Sequence, residues 1–478
     1  MTPDDEAPDT VSSETKSGDE ADRSGMADRA GSRRTALLSL ALKSPFMREA
    51  GALGTAQVAG LIAMVVQLTV VARLLGPRSY GVLGLLLTYP SVVYTFLDAR
   101  SSEAVVKYLG EFDAKGDTGA ALAVPKLAYS IDGLVALLTF VLVASTAAWA
   151  QDNVIKVPGT APLLVLYGIA IVLASPLGTS RGILSHFRCF KTLATVQIVG
   201  TLARTALVVV LVALGFGVTG AIWGSAVGLV IEGWSSALVA SREVRKNFGS
   251  SWRTAAHSSL RGQRRRILNF IFYTDLSSLV GVFVKQADLV ILGFFRGPNE
   301  VGYYRLARSI ASLADNIAIP LQAVVYPRFS RLSGLDDLRS LRKASRRYFV
   351  LVGLPLSAMA LLALPFMGLA VETVAGRQYR PAVGLAQLLV VGAAAWLALF
   401  WGRPLLFALG WARFYFLNSV LFAAVGLGAY LVLTPAWGAA GMALAKGLIL
   451  GVGGNVSVLL YLSAKTRRRA LAPSLASD

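Results

Sequence analysis

Apolar runs of membrane-crossing length alternate with short polar segments from residue 50 to residue 462. A helix needs roughly 20 predominantly apolar residues to cross a bilayer. On that criterion the pattern predicts twelve helices, at about 50–72, 80–98, 127–149, 160–178, 193–214, 217–239, 268–294, 301–325, 348–370, 380–400, 412–434 and 437–462. The second, fourth and tenth carry the weakest signals. Ahead of them the stretch MTPDDEAPDTVSSETKSGDEADRSG lacks aromatic residues and almost lacks large aliphatic ones, so a solvated, disordered cytoplasmic tail is expected over 1–45.

One pair of turns breaks the monotony. ARLLGPRSYG at 72–81 returns in altered form as GFFRGPNEVG at 293–302. Each copy has Gly-Pro (Gly76 and Pro77; Gly297 and Pro298) with a further glycine four residues after the proline, Gly81 and Gly302. Glycine at a helix end tolerates a left-handed backbone. Proline at the first position of the next helix lacks only an N–H that would be orphaned there. The second glycine permits close approach of a neighbouring backbone. The turns join helices one and two, then seven and eight. Six helices lie between the copies, so both turns face the same side, and the spacing predicts two parallel halves.

Charge placement supports the count and orients the chain. With both termini cytoplasmic, the inside loops 99–126, 179–192, 240–267, 326–347 and 401–411 carry 4, 3, 8, 7 and 1 Lys plus Arg, and the terminal KTRRR adds 4. The outside turns hold few, chiefly Arg73, Arg78, Lys156, Arg296 and Arg377. That is the positive-inside pattern, and it accounts for the formal charge of +19 without nucleic acid. Basic loops meet anionic headgroups of membrane lipids instead. The segment SREVRKNFGSSWRTAAHSSLRGQRRR, between helices six and seven, is expected to lie along those headgroups as an interfacial helix.

Composition then narrows the chemistry. The chain has 478 residues, 55% of them hydrophobic and 15% charged, with a mean hydropathy of +0.60. Soluble proteins carry about a quarter charged residues. A single cysteine, Cys189, excludes an intrachain disulfide, and the two histidines, His186 and His257, offer no metal ligand set. No nucleophilic triad is visible, nor a Gly-rich loop followed by Lys and Ser/Thr. No loop is long enough for a catalytic domain. A non-enzymatic protein without cofactor or metal is expected.

Ionisable groups at membrane depth are costly and mark candidate sites. Helix seven holds Asp275, Lys285 and Asp288, and the spacing of the last two allows them to pair on one face. Helix eight adds Arg305, Arg308 and Asp315 in one stripe, and Pro320. Asp132 and Arg204 are the clearest charges in the first half, with Gln57, Gln67, Gln197 and Glu232 beside them, and Arg48 at the inner mouth of helix one. Two readings compete for the whole set: interhelical salt bridges, or a charged cavity. Arg48, Arg73, Arg305 and Glu232 lean to the structural reading. Arg308, Asp315, Lys285 and Asp288 lean to a cavity, and Lys446 to neither.

The stretches VARLLGPRSYGVLGLLLTYPSVV (71–93), VFVKQADLVILGFFRGPNEVGYYRLARSIASL (282–313) and PLQAVVYPRFSRL (320–332) give the chain a family likeness. It resembles polysaccharide biosynthesis proteins of the oligosaccharide flippase type, within the multidrug/oligosaccharidyl-lipid/polysaccharide exporter superfamily. The resemblance covers about residues 46–465. It implies an all-α integral membrane protein with two six-helix lobes around a central cavity. The corresponding division is an N-terminal lobe at 46–241, a basic cytoplasmic linker at 242–267, a C-terminal lobe at 268–464 and a basic tail at 465–478. It also implies movement of polyprenyl-diphosphate-linked oligosaccharide across the cytoplasmic membrane, by alternating access, for surface polysaccharide biosynthesis. Cationic residues would hold the diphosphate or acidic sugars; the matching positions are Arg308, Lys285, Arg204 and Arg48. Asp275, Asp288, Asp315 and Asp132 are the candidates for proton or sodium coupling. Lipid-linked oligosaccharide is the expected partner, with polysaccharide assembly proteins as further candidates. The alternative is a cation-coupled drug or metabolite antiporter of the same superfamily.

Overall fold

Eight helical rods in the computed structural model are long and apolar enough to cross a membrane, and no strand occurs among the described residues. The structure describes residues 45–98, 100–249, 252–254, 260, 262–271, 286–335 and 337–471, with side chains except at 45–53, 56, 254, 338 and 464–471. Three rods, Gln57–Ala114, Phe190–Phe248 and Ala412–Ser463, contain 58, 59 and 52 residues. At 1.5 Å per residue each would exceed about 75 Å, against roughly 30 Å of hydrocarbon. Each is broken by glycine in the left-handed region: Gly76 (φ 71°), Gly215 (φ 90°) with Gly217 (φ 58°), and Gly438 (φ 58°). Side chains disfavour that backbone and glycine does not. These breaks fall where the hydropathy pattern predicts tight turns.

The N-terminal lobe comprises α1 (Pro45–Leu97, bent at Gly76), α2 (Ser101–Ala114), α3 (Thr118–Ala150), α4 (Ala161–Leu173), α5 (Leu177–His186), α6 (Phe190–Leu211) and α7 (Gly217–Phe248). The C-terminal lobe comprises α8 (Asp288–Phe295), α9 (Pro298–Ala311), α10 (Leu313–Gly334), α11 (Leu338–Tyr348), α12 (Leu354–Leu362), α13 (Met367–Ala375), α14 (Ala382–Ala398), α15 (Gly402–Ala408), α16 (Ala412–Leu444) and α17 (Gly454–Leu471). The rods form a helical membrane protein of about twelve crossings in two six-helix lobes around a central cavity, and 272–285, where the seventh helix was expected, lie outside the described residues. Within the lobes small residues bring backbones together, as lipid-embedded bundles require. A methyl group on Gly224 of α7 would lie 2.7 Å from the Val208 nitrogen of α6. Large apolar side chains such as Ile62, Leu362 and Val432 are left exposed on the outside, a surface that suits acyl chains rather than water.

Several boundaries differ from the hydropathy reading, because helices continue past their apolar centres. The sixth helix does not stop near 239: α7 carries the SREVRKNF segment to Phe248 and ends at Gly249, whose left-handed backbone donates its N–H to Arg245 O. The start of the expected interfacial helix is therefore a continuation of a crossing helix; 250, 251, 255–259 and 261 lie outside the described residues. The fourth helix breaks at Ala174–Pro176, and the ninth ends at Leu362. Between α10 and α12, α11 is amphipathic. Asp337 caps it, accepting the Ser340 N–H at 2.9 Å, and Ser340 holds the Asp337 carboxyl below the usual carboxylate range. Leu341, Ala344 and Ser345 face the bundle, while Arg339, Arg342, Lys343, Arg346 and Arg347 are exposed.

Candidate functional site

The two repeated turns touch each other. A methyl group added to Gly81 would collide with the Pro298 carbonyl and lie 2.7 Å from the Gly302 nitrogen. One added to Gly302 would collide with the Pro77 carbonyl and lie 3.2 Å from the Gly81 nitrogen. The contact is thus reciprocal, with each copy's second glycine resting on the other's turn. Pro77 and Pro298 both stand at the start of the helix that follows. Only Gly76 adopts the left-handed backbone; Gly297 is extended (φ −88°, ψ 168°) and caps α9 instead. The expectation of a left-handed glycine in both copies is corrected at that position.

Further bonds cross between the lobes at this end. Arg73 donates to the carbonyls of Thr373 and Val374, Tyr379 Oη donates to Ala72 O at 3.1 Å, and Lys156 Nζ donates to Phe294 O at 2.8 Å. Arg296 and Glu300 tie the second turn to the Gly438 bend, through Pro435 O and the Ala439 N–H. The hairpin end of the molecule is closed.

One turn beyond Gly302 a cavity of about 250 Å³ opens along the seam. Gln67, Leu68 and Tyr80 of α1, Thr201, Arg204 and Thr205 of α6, and Arg305 and Ser309 of α9 are among its walls. Arg305 reaches across the seam: its guanidinium donates to Tyr80 O at 2.8 Å and stacks 4.3 Å from the centre of the Tyr80 ring. Arg204 is positioned by a close helix pair, since a methyl group on Gly228 of α7 would lie 2.6 Å from the Arg204 Cα. Among the described residues the lining holds two arginines and no aspartate or glutamate. Such a site attracts anions, and a guanidinium offers a two-donor fork to phosphate or carboxylate.

The other candidates sit elsewhere. Arg308 does not line this cavity: it pairs with Asp288 Oδ1 at 2.7 Å inside the C-terminal lobe. Lys446 pairs with Asp288 Oδ2, which also accepts the Tyr304 hydroxyl at 2.8 Å. Asp288 is therefore surrounded on both oxygens, by Arg308 and Lys446 from helices distant in sequence; Lys285, its partner by spacing, lies outside the described residues, as does Asp275. The side chain of Arg48 is also outside them. Asp315 is exposed in the first turn of α10. Glu232 pairs with Arg181 at 2.6 Å, the structural role its sequence position favours. Asp132 is buried and hydrogen-bonded to Thr179. Removing the Asp288 carboxylate takes a bonded counter-charge from two half-buried cations. Asp288→Ala is expected to cost about 3–5 kcal/mol, read as a fall of thermal unfolding temperature in detergent, with Asp288→Ala/Lys446→Met recovering part of it.

Arg305 is a cavity residue for which the sequence leaned to a structural role, and its bond to Tyr80 O gives it one as well. Its signal is positional. It follows Gly302 by three residues, so it shares the face that this glycine presses against the other lobe.

The family model described as polysaccharide biosynthesis protein matches residues 46–333. No curated protein matches the chain. Among solved structures it is similar to an inward-facing multidrug resistance MATE family transporter of the MOP superfamily, with a TM-score of 0.65 and 16% identity over 87% of this chain and 96% of that one. It is similar to the lipid II flippase MurJ in an inward closed conformation, with a TM-score of 0.68 and 14% identity over 86% and 87%. A mutant of the Vibrio cholerae MATE transporter VcmN follows the same fold, with a TM-score of 0.55 and 14% identity over 88% and 98%. At such identities these likenesses concern the fold. The matched family model spans more than half of the sequence, and the chain belongs to the polysaccharide biosynthesis protein family.

Proposed function

We propose that the chain is a flippase that moves a polyprenyl-diphosphate-linked oligosaccharide across the cytoplasmic membrane by alternating access. The carrying observation is the cavity on the seam, with Arg204 from one lobe, Arg305 from the other and no acid among the described residues of its lining. A charged head on a long lipid cannot cross hydrocarbon unaided, because exposing it there costs many kcal/mol. Two guanidinium groups supply the polar contacts, and the lipid tail stays in the bilayer. The fold fits a MATE-type antiporter equally well. The sign of the cavity favours the anionic head over an organic cation.

The test is transport by the purified chain in liposomes, offered a polyprenyl-diphosphate oligosaccharide and, separately, a fluorescent organic cation. Movement of the glycan lipid supports the reading; movement of the cation alone replaces it with the antiporter. Orientation is tested by reporter fusions after residues 76, 215 and 297, all expected on the non-cytoplasmic side. A cytoplasmic signal at 76 and 297 reverses the assigned sidedness.

A further inference from the structure

Three carboxylates are buried among the described residues: Asp132, Glu232 and Asp288. Glu232 has Arg181, and Asp288 has Arg308 and Lys446. Among the described residues no arginine or lysine faces Asp132. Burial of an unpaired charge is costly, and a carboxylate so placed either keeps enough hydrogen bonds or takes a proton. Asp132 Oδ2 accepts the Thr179 N–H at 3.1 Å and the Thr179 hydroxyl at 2.7 Å, and that hydroxyl also lies 3.4 Å from the Ser101 hydroxyl. Among the described residues hydrogen bonds alone hold the carboxyl.

The groups around it do not supply a counter-charge. From the end of α1 come Tyr94 and Asp98, the latter a second acid. From its own helix comes Tyr129, whose hydroxyl pairs with Ser180. Arg253 faces Tyr129, and Arg100 is turned to Glu103 at 3.1 Å.

What these bonds connect is a joint. Ser101 opens α2 and is itself buried, and Arg100 just before it is one of three non-glycine residues with a left-handed backbone (φ 40°, ψ 42°) among the described residues. On the other side α5 presses so closely that a methyl group on Gly182 would lie 2.9 Å from the Ser102 Cα. The start of α2 is therefore clamped between α3 and α5 at the place where it leaves α1. α1 in turn carries Gln67 and Tyr80 into the arginine cavity.

We propose that Asp132, rather than Asp288, is the proton-binding group that couples this transporter to the proton gradient. When the carboxylate takes a proton, one oxygen turns from acceptor to donor. Of its two bonds from Thr179 only the hydroxyl's can reverse, the hydroxyl accepting that O–H; the Thr179 N–H cannot. The Thr179 hydroxyl then turns its own proton to the Ser101 hydroxyl, 3.4 Å away on the first residue of α2, and the strained joint at Arg100 passes the change to α1. The coupling role rests on the transport reading above; proton binding at Asp132 does not.

The experiment therefore uses no glycan. The full chain in lipid nanodiscs is titrated from acid to mildly alkaline buffer and followed by infrared difference spectroscopy. A carboxylic-acid C=O band that titrates in the parent chain is expected to vanish in Asp132→Asn and to persist, displaced in frequency, in Asp132→Glu. Spin labels at the exposed positions Val106 and Leu238, in a Cys189→Ser background, are expected to report a pH-dependent distance change that is absent in Asp132→Asn. Ser101→Ala, a milder substitution, is expected to keep the band and lose the distance change. A band and distance change unaltered in Asp132→Asn overturn the assignment. A distance change driven by sodium at constant pH, and not by protons, overturns it in favour of a sodium site.

Discussion

Replacing both Arg204 and Arg305 by glutamine is expected to abolish movement of a polyprenyl-diphosphate oligosaccharide in liposomes. Each guanidinium offers charge-assisted hydrogen bonds, worth about 1.5–3 kcal/mol apiece. Loss of one corresponds to a roughly 10- to 100-fold fall in apparent affinity, and loss of both approaches the product if the head bridges the seam. Arg204→Lys keeps the charge and loses the fork, so an intermediate defect is expected. Arg305→Gln also removes the bond to Tyr80 O and the stack on the Tyr80 ring, so its effect joins a binding loss to a looser seam. Arg204 has no such structural tie to the other lobe, which makes Arg204→Gln the cleaner reading of substrate contact. Unchanged unfolding temperatures establish that a transport defect is not a folding defect. Full transport by the double variant would remove the cavity from the mechanism.

Substitution of Gly81 or Gly302 by leucine is expected to hold the hairpin end open. The backbones already meet there, and no rotamer of a larger residue avoids the Pro298 or Pro77 carbonyl. Overpacking costs about 1–3 kcal/mol, and the chain can escape it by separating the lobes. A free-energy difference of that size shifts an equilibrium between two arrangements roughly 5- to 150-fold. Spin labels at the exposed turn residues Arg78 and Asn299, again without Cys189, should show longer and broader distances in Gly81→Leu than in the parent. Transport should fall at least about 10-fold while each lobe stays folded, since alternating access needs this end to close. Gly54→Leu is a control: nothing lies within 4 Å of a methyl group there. Unchanged label distances in Gly81→Leu would show that the contact is not part of the closed state.

Helix number and the shared side of the two turns were legible because each rests on local physics. Apolar length and Gly-Pro chemistry need no partner to be read, and the parity of the helix count follows from them. The reciprocal seat of Gly81 and Gly302 was half legible: both were marked as places of close approach, but neither identified the other as its neighbour. Charge partners were less accessible. Asp288 and Lys285 are three residues apart and invite pairing, yet Asp288 is paired to Arg308, 20 residues away, and to Lys446, 158 residues away. The π-helical turn over Ala445–Gly453 redirects Lys446 in a way its apolar surroundings do not advertise. For Arg305 the sequence leaned to a structural role; the bond to Tyr80 O is such a role, and its place in the cavity wall needed the neighbouring lobe to be seen.

By itself, then, the chain determined an all-helical membrane protein with two matching turns and an excess of buried-prone charge in its second half. These follow from hydropathy, from glycine and proline at helix ends, and from the cost of a charge in hydrocarbon. Only the tertiary structure decided which charges cancel and which remain. Arg308 and Lys446 pair with Asp288, Asp132 is held by hydrogen bonds from Thr179, and Arg204 and Arg305 face a shared cavity. Counter-charges come from helices far apart in sequence, and an ion pair depends on distance through space.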